Sequence, residues 1–270
     1  TDYRNGVLTR TFLIQQAQAD AFTTTLGSEP VAAALLTNVL DDKYESILTA
    51  RLQQFGITLS DSRERASLVS LTYANPSLLG DKLMSAIANG NRAEAWYEIR
   101  YQSNAEPPST ATGTAKRRYY ESELFSLYGD GETMTDPVAK DVLQMYTRHR
   151  TTIDSYEKRF GNQVAAANSA YDLTGTGYEV ESLTMSLQPA RDFLVGEVAQ
   201  FANAPIIDGV VLVGEDTTAR GDILSGGIKN DLILGEAGND VLRGDAGNDI
   251  IYGGDGVDTI SGGIDDDFLF

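Results

Sequence analysis

From Pro30 to about residue 200 the apolar residues return at three- and four-residue intervals, the spacing that turns one side of an α-helix toward a core. In the stretch that opens on Pro30 and closes on Gly56, Val31, Leu35, Leu36, Val39, Ile47 and Leu48 form such a stripe. Proline in a first turn and glycine past a last turn punctuate it as helix. A second helix is predicted from Asp61 as N-cap, with Glu64 three residues on in a capping-box pattern. Two more flank a turn at Asn89-Gly90-Asn91, and another follows the loop SNAEPPSTATGT, over AKRRYYESELFSLYG. Past residue 206 the rule changes. Aliphatic residues now return every nine positions, at Leu224, Ile233, Leu242, Ile251, Ile260 and Leu269.

Aligned on that period, the segment reads TTARGDILS (217–225), GGIKNDLIL, GEAGNDVLR, GDAGNDIIY, GGDGVDTIS and GGIDDDFLF (262–270). The sixth position is aspartate every time: Asp222, Asp231, Asp240, Asp249, Asp258 and Asp267. Glycines at the first and fourth positions, Gly235 and Gly238, Gly244 and Gly247, Gly253 and Gly256, let the backbone turn tightly and aim carbonyl oxygens at one point. Carbonyls with carboxylates make an all-oxygen shell, which suits Ca²⁺ with its six to eight flexible ligands and disfavours zinc or copper. The three residues after each aspartate are expected to form a short strand whose inward side chain is the aliphatic. Two repeats then make one coil, and stacking coils brings aspartates eighteen apart together, Asp222 with Asp240, Asp240 with Asp258, Asp231 with Asp249, and Asp249 with Asp267. One ion per stacked pair gives roughly four calcium ions.

The nonapeptide resembles the calcium-binding repeat of RTX, or haemolysin-type, proteins. The resemblance implies a parallel β-roll. It also implies a secreted, extracellular protein that leaves a Gram-negative bacterium through a type I secretion apparatus.

Charge sharpens this picture. Residues 206–270 hold 14 acidic against 3 basic residues and 14 of the chain's 26 glycines, whereas residues 1–205 hold 25 against 18. A composition break therefore falls near Pro205. Domains are expected at 1–129 (helical), 130–205 (a helical linker or extension) and 206–270 (the roll). Facing carboxylates repel across a thin core, so the roll is expected to unfold without metal and to fold as calcium neutralises it. A formal net charge of −18 excludes nucleic acid as a default partner. Absence of cysteine excludes disulfides and zinc-thiolate sites. No run of apolar residues is long enough to span a membrane, and the first ten residues lack the layout of a signal peptide.

The order RERASLVSLTYANPSLLGDKLMSAIANGNRAEAWYEIRY, a loop, then AKRRYYESELFSLY is similar to the larger helical lobe of phage-type lysozymes and of pesticin-like muramidases, over about residues 32–129. The fold class expected is thus multidomain α + β, a helical lysozyme-like lobe followed by a C-terminal parallel β-roll. That resemblance implies a wall of a peptidoglycan cleft, with Tyr73, Asn75, Arg100, Tyr101 and Arg117 at the matching positions. The same side chains also fit core and loop-buttress roles. Glycoside hydrolysis needs a proton donor with a second carboxylate or a positioned water. In the family these sit in a small N-terminal lobe, and in this chain the stretch before the match offers only Asp20 and Glu29 as candidates, without a hairpin. The catalytic carboxylates are therefore not identified, and the catalytic lobe is expected to be missing. His149, the sole histidine, has no nucleophile motif beside it, and Trp96 reads as core. The alternative is a non-catalytic extracellular surface or adhesion protein with calcium-dependent folding.

Overall fold

Glycine, asparagine and proline set the helix ends. The computed structural model describes residues 43–60, 62–102, 111–129, 131–170, 179–199, 204–217 and 220–270. Helix α1 (Glu45–Gln54) stops where Gly56 adopts φ +67°, a left-handed conformation that closes a Schellman motif. There the Ile57 N–H donates to Leu52 O and the Gly56 N–H to Gln53 O. Helix α2 (Arg63–Ala74) is capped by Ser62, whose Oγ accepts the Arg65 N–H at 3.2 Å. The cap thus falls one residue after the expected Asp61, which lies outside the described residues. Asn75, preceding Pro76, is forced into extended backbone and ends the helix.

Helices α3 (Asp81–Ala88) and α4 (Arg92–Tyr97) flank the expected turn, with Gly90 at φ +72° and Asn91 Oδ1 accepting the Glu94 N–H. A π turn (Glu98–Gln102) and α5 (Ala111–Phe125) follow. Helix α6 (Asp136–Phe160) precedes α7 (Gln163–Ala170) and α8 (Leu183–Val198).

The described residues divide into two compact units, those up to residue 131 with those of 155–182, and 132–154 with those from 183 onward. In the first, α2 and α5 pack around Leu68, Leu71, Trp96, Ile99 and Tyr119, all at most 1% exposed.

The second unit carries seven short strands among the described residues: β1 (Val211–Val213), β2 (Ile223–Gly227), β3 (Leu232–Leu234), β4 (Val241–Ala246), β5 (Ile250–Tyr252), β6 (Thr259–Ile264) and β7 (Phe268–Leu269). They alternate between two parallel sheets, ordered β1-β3-β5-β7 and β2-β4-β6. Each coil contributes one strand to each sheet, so the segment is a parallel β-roll of about three turns. Register puts the predicted inward aliphatics in two rows, Ile233, Ile251, Leu269 and Leu224, Leu242, Ile260, and adds Leu212 of β1 to the first. Leu212, Leu224, Ile233, Leu242 and Ile251 form the thin buried core, with Tyr146 of α6 packed against it. The inward rule weakens at the edge strand β7, where Leu269 is 48% exposed.

Candidate metal centre

The turns between strands are built by two ladders of side chains bonded to main chain eighteen residues away. In the first, Oδ1 of Asp240, Asp249, Asp258 and Asp267 accepts the N–H of Asp222, Asp231, Asp240 and Asp249, at 2.7–3.0 Å. These are the four pairs that the period of nine brings together. The second ladder runs the opposite way from the fifth position. Oδ1 of Asn230 accepts the Asn248 N–H, Oδ1 of Asn239 the Val257 N–H, and Oδ1 of Asn248 the Asp266 N–H, at 2.8–3.0 Å. A search of the sequence for metal ligands passes over these asparagines. Their signal is the repeated Asn-Asp at positions five and six.

Using Oδ1 in this way leaves Oδ2 pointing into the turn. Asp231, Asp240 and Asp249 are at most 1% exposed, and the Oδ2 of each has no hydrogen-bond partner. A buried carboxylate oxygen without a partner is costly, so it asks for a cation or a proton. Around it the backbone comes close. A methyl on Gly244 would overlap Asp249 Oδ2 and the Gly262 carbonyl oxygen, and one on Gly235 would meet Asp240 Oδ2 and the Gly253 carbonyl oxygen. First-position glycine therefore opens a cradle in which one carboxylate oxygen and a carbonyl from the next coil converge. At the fourth position Gly238, Gly247 and Gly256 have φ between +115° and +150°, a backbone that side chains resist.

Among the described residues no three His, Asp or Glu side chains gather on one point. The donor set is instead one carboxylate with main-chain carbonyls, hard oxygens that suit calcium. The electrostatics agree. Burial pushes the Asp249 carboxyl up to about 6, and the charges of Asp231, Asp267 and Asp245 act in the same direction against the Asp231 N–H. Burial also raises Asp240 and Asp231, opposed at Asp240 by the Asp222 N–H and at Asp231 by the N–H groups of Val210 and Gly227.

The first repeat departs from the strict period. Gly214, and not Thr217, takes the first position: its N–H donates to Leu234 O, and its surroundings are the Gly235 carbonyl and Asp222 Oδ2. This repeat therefore holds three more residues between its first-position glycine and its aspartate than the later repeats do. The signal is Gly-Glu-Asp at 214–216, which mirrors Gly-Glu-Ala at 235–237. Asp222 consequently differs from its successors, because its Oδ2 accepts the Glu215 N–H at 2.7 Å.

The helical candidates lie in the other unit. Arg100 is wholly buried, its guanidinium 4.8 Å from the Trp96 ring centre and 4.5 Å from that of Tyr119, bonded to Ser122 Oγ and Glu181 O and 3.7 Å from Glu157. Tyr101 is buried beside it and donates to Glu157 Oε1. Burial pushes its hydroxyl well above the ordinary tyrosine range. Both side chains brace the interior. Tyr73 is half-buried under the Arg117 guanidinium, 5.4 Å away, and Arg117 reaches Glu121 Oε1 at 3.2 Å. Asn75 is exposed, its Oδ1 accepting the Ser77 N–H. Trp96 is core, as its sequence context implies. Asp20 and Glu29 lie outside the described residues.

A family model for the RTX calcium-binding nonapeptide repeat matches in four copies, over residues 216–251 and 235–269. No curated protein and no solved structure matches the chain.

Proposed function

We infer that this chain, which carries RTX calcium-binding repeats in a parallel β-roll, is a secreted protein whose roll folds on calcium outside the cell. The observation that carries the reading is the set of buried, partnerless Oδ2 atoms on Asp231, Asp240 and Asp249, each aimed at a glycine cradle. Ligands are assigned to the sixth-position aspartates Asp222, Asp231, Asp240, Asp249, Asp258 and Asp267, with the first- and fourth-position glycines supplying carbonyls. Four stacked aspartate pairs support about four ions. Calcium is scarce in cytosol and plentiful outside, so a roll that stays loose within the cell suits passage through a type I channel. No described helix is long and apolar enough to cross a membrane. Far-UV circular dichroism of the chain in EDTA and then in excess calcium tests the core of this reading. Most of the strand signal is expected to appear on adding calcium, and a spectrum indifferent to calcium overturns it.

The helical unit is assigned to a peptidoglycan-degrading effector, on its resemblance to the larger lobe of muramidases. The surface at exposed Asn75, with half-buried Tyr73 and Arg117 beside it, is where the wall polymer would touch. Chain mixed with purified Gram-negative sacculi is expected to sediment with them, and to do so less after Tyr73→Ala with Arg117→Ala. Retention on intact cells without binding to sacculi would replace this reading with a surface-adhesion protein.

A further inference from the structure

One end of the roll is closed by the protein's own cations. Strands β1 and β2 are the edge strands there, and helix α6 satisfies both edges. Thr147 Oγ1 accepts the Val213 N–H at 3.0 Å, Gln144 Nε2 donates to Gly214 O at 2.7 Å, and Arg150 Nη1 donates to Ser225 O at 3.1 Å. From α8, Arg191 Nη2 donates to the carbonyls of Ile207 and Gly209, at 2.8 and 3.0 Å. Those carbonyls belong to the turn that stacks on Asn230 and Asp231, for the Gly209 N–H donates to Asn230 O and the Val210 N–H to Asp231 Oδ1. In this turn Val210 stands where later coils have aspartate. Arg148 grips Glu215 with two bonds of 2.6 and 2.8 Å, and Lys140 pairs with Glu236 at 2.9 Å. Together with the Glu215 N–H on Asp222 Oδ2, these contacts give protein partners to the carboxylates of Glu215 and Asp222 and to the carbonyls of Ile207, Gly209, Gly214 and Ser225. The edge strands at the other end, β6 and β7, carry Ile264 at 68% and Leu269 at 48% exposure.

We propose that α6 and α8 form a cationic cap that does the work of calcium for the first coil, so that this coil is ordered without metal and calcium-driven folding propagates from it toward β7. The proposal rests on the calcium reading above. Its physical basis is that starting a parallel coil costs chain entropy before any cross-coil bond forms, whereas adding a coil to an existing one costs less per bond gained. A preformed first coil supplies that start. Calcium then acts coil by coil on the carboxylates that lack a protein partner.

Hydrogen exchange on the full chain, followed by mass spectrometry, tests it in EDTA and in calcium. In EDTA the amides of Val213 and Glu215, whose acceptors lie in α6 and in the first coil itself, are expected to exchange at least tenfold more slowly than those of Ile250, Thr259 and Phe268, and calcium is expected to protect all five. In Gln144→Ala/Arg150→Ala, and separately in Arg191→Gln, the first-coil protection in EDTA should vanish and the calcium midpoint should rise several-fold, with the helical signal kept. Uniform fast exchange in EDTA, with calcium still protecting the roll, overturns the cap and leaves the calcium reading intact. Uniform slow exchange in EDTA overturns both.

Discussion

Asp249→Ala is expected to raise the calcium concentration at which the roll folds by about tenfold or more, and Asp267→Ala by about half as much on a free-energy scale. Asp249 belongs to two stacked pairs. Its Oδ1 accepts the Asp231 N–H, its own N–H donates to Asp267 Oδ1, and its Oδ2 is buried without a partner. Alanine removes a ligand from both cradles and also leaves the Asp231 N–H, in a turn only 1% exposed, without an acceptor. A buried donor stranded in this way costs roughly 1–3 kcal/mol by itself. Asp267 serves one pair, in the turn that leads to edge strand β7, and is only half-buried, so water can replace what alanine removes there. Calcium titrations followed by far-UV signal separate the two variants. Equal impairment would mean that coils eighteen residues apart do not share ions, and the assignment of the ligand pairs would fall.

That contrast is legible in the amino-acid sequence because the roll is one-dimensional: a residue's neighbours are those one coil away, and a fixed period states them. What repeats can be read directly. Leu224, Ile233, Leu242 and Ile251 face inward and the aspartates stack as their spacing requires. What breaks the repeat is hidden by it. Three extra residues in the first repeat move its first-position glycine back to Gly214, and a strict period of nine cannot accommodate them. Residues 132–154 and 183–205 pose a different problem. Their three- and four-residue spacing says that a helix has an apolar face, but not what covers it, so nothing in the sequence ties Tyr146 to the roll core or Arg191 to the turn before β1. Arg100 illustrates the same limit in the helical unit. Its spacing places it at the end of a helix, and only tertiary packing encloses it between Trp96 and Tyr119.

Acid is expected to do part of what calcium does. In the metal-free roll the Asp249 carboxyl titrates at about 6, whereas in the unfolded chain an aspartate titrates near its ordinary value of about 3.9. Between those two values the folded state holds a proton that the unfolded chain has released. Linkage then makes the metal-free roll less stable as pH rises through this window, and below it the penalty is absent. Asp231 and Asp240 shift in the same direction, so the effect is shared by the buried sites. Acidifying a calcium-free sample from about pH 7 toward about pH 4.5 should therefore raise the strand signal, and calcium binding near pH 5.5 should release protons that it does not release at about pH 8. General loss of negative charge on acidification would favour any compact state, so the discriminating sample is Asp249→Asn. An amide keeps Oδ1 for the Asp231 N–H and removes the titrating group, so the part of the pH response centred near 6 should disappear. A metal-free wild-type signal that stays flat across that acidification, or an unchanged response in Asp249→Asn, would show that the buried carboxylates are not what keeps the roll open in the absence of calcium.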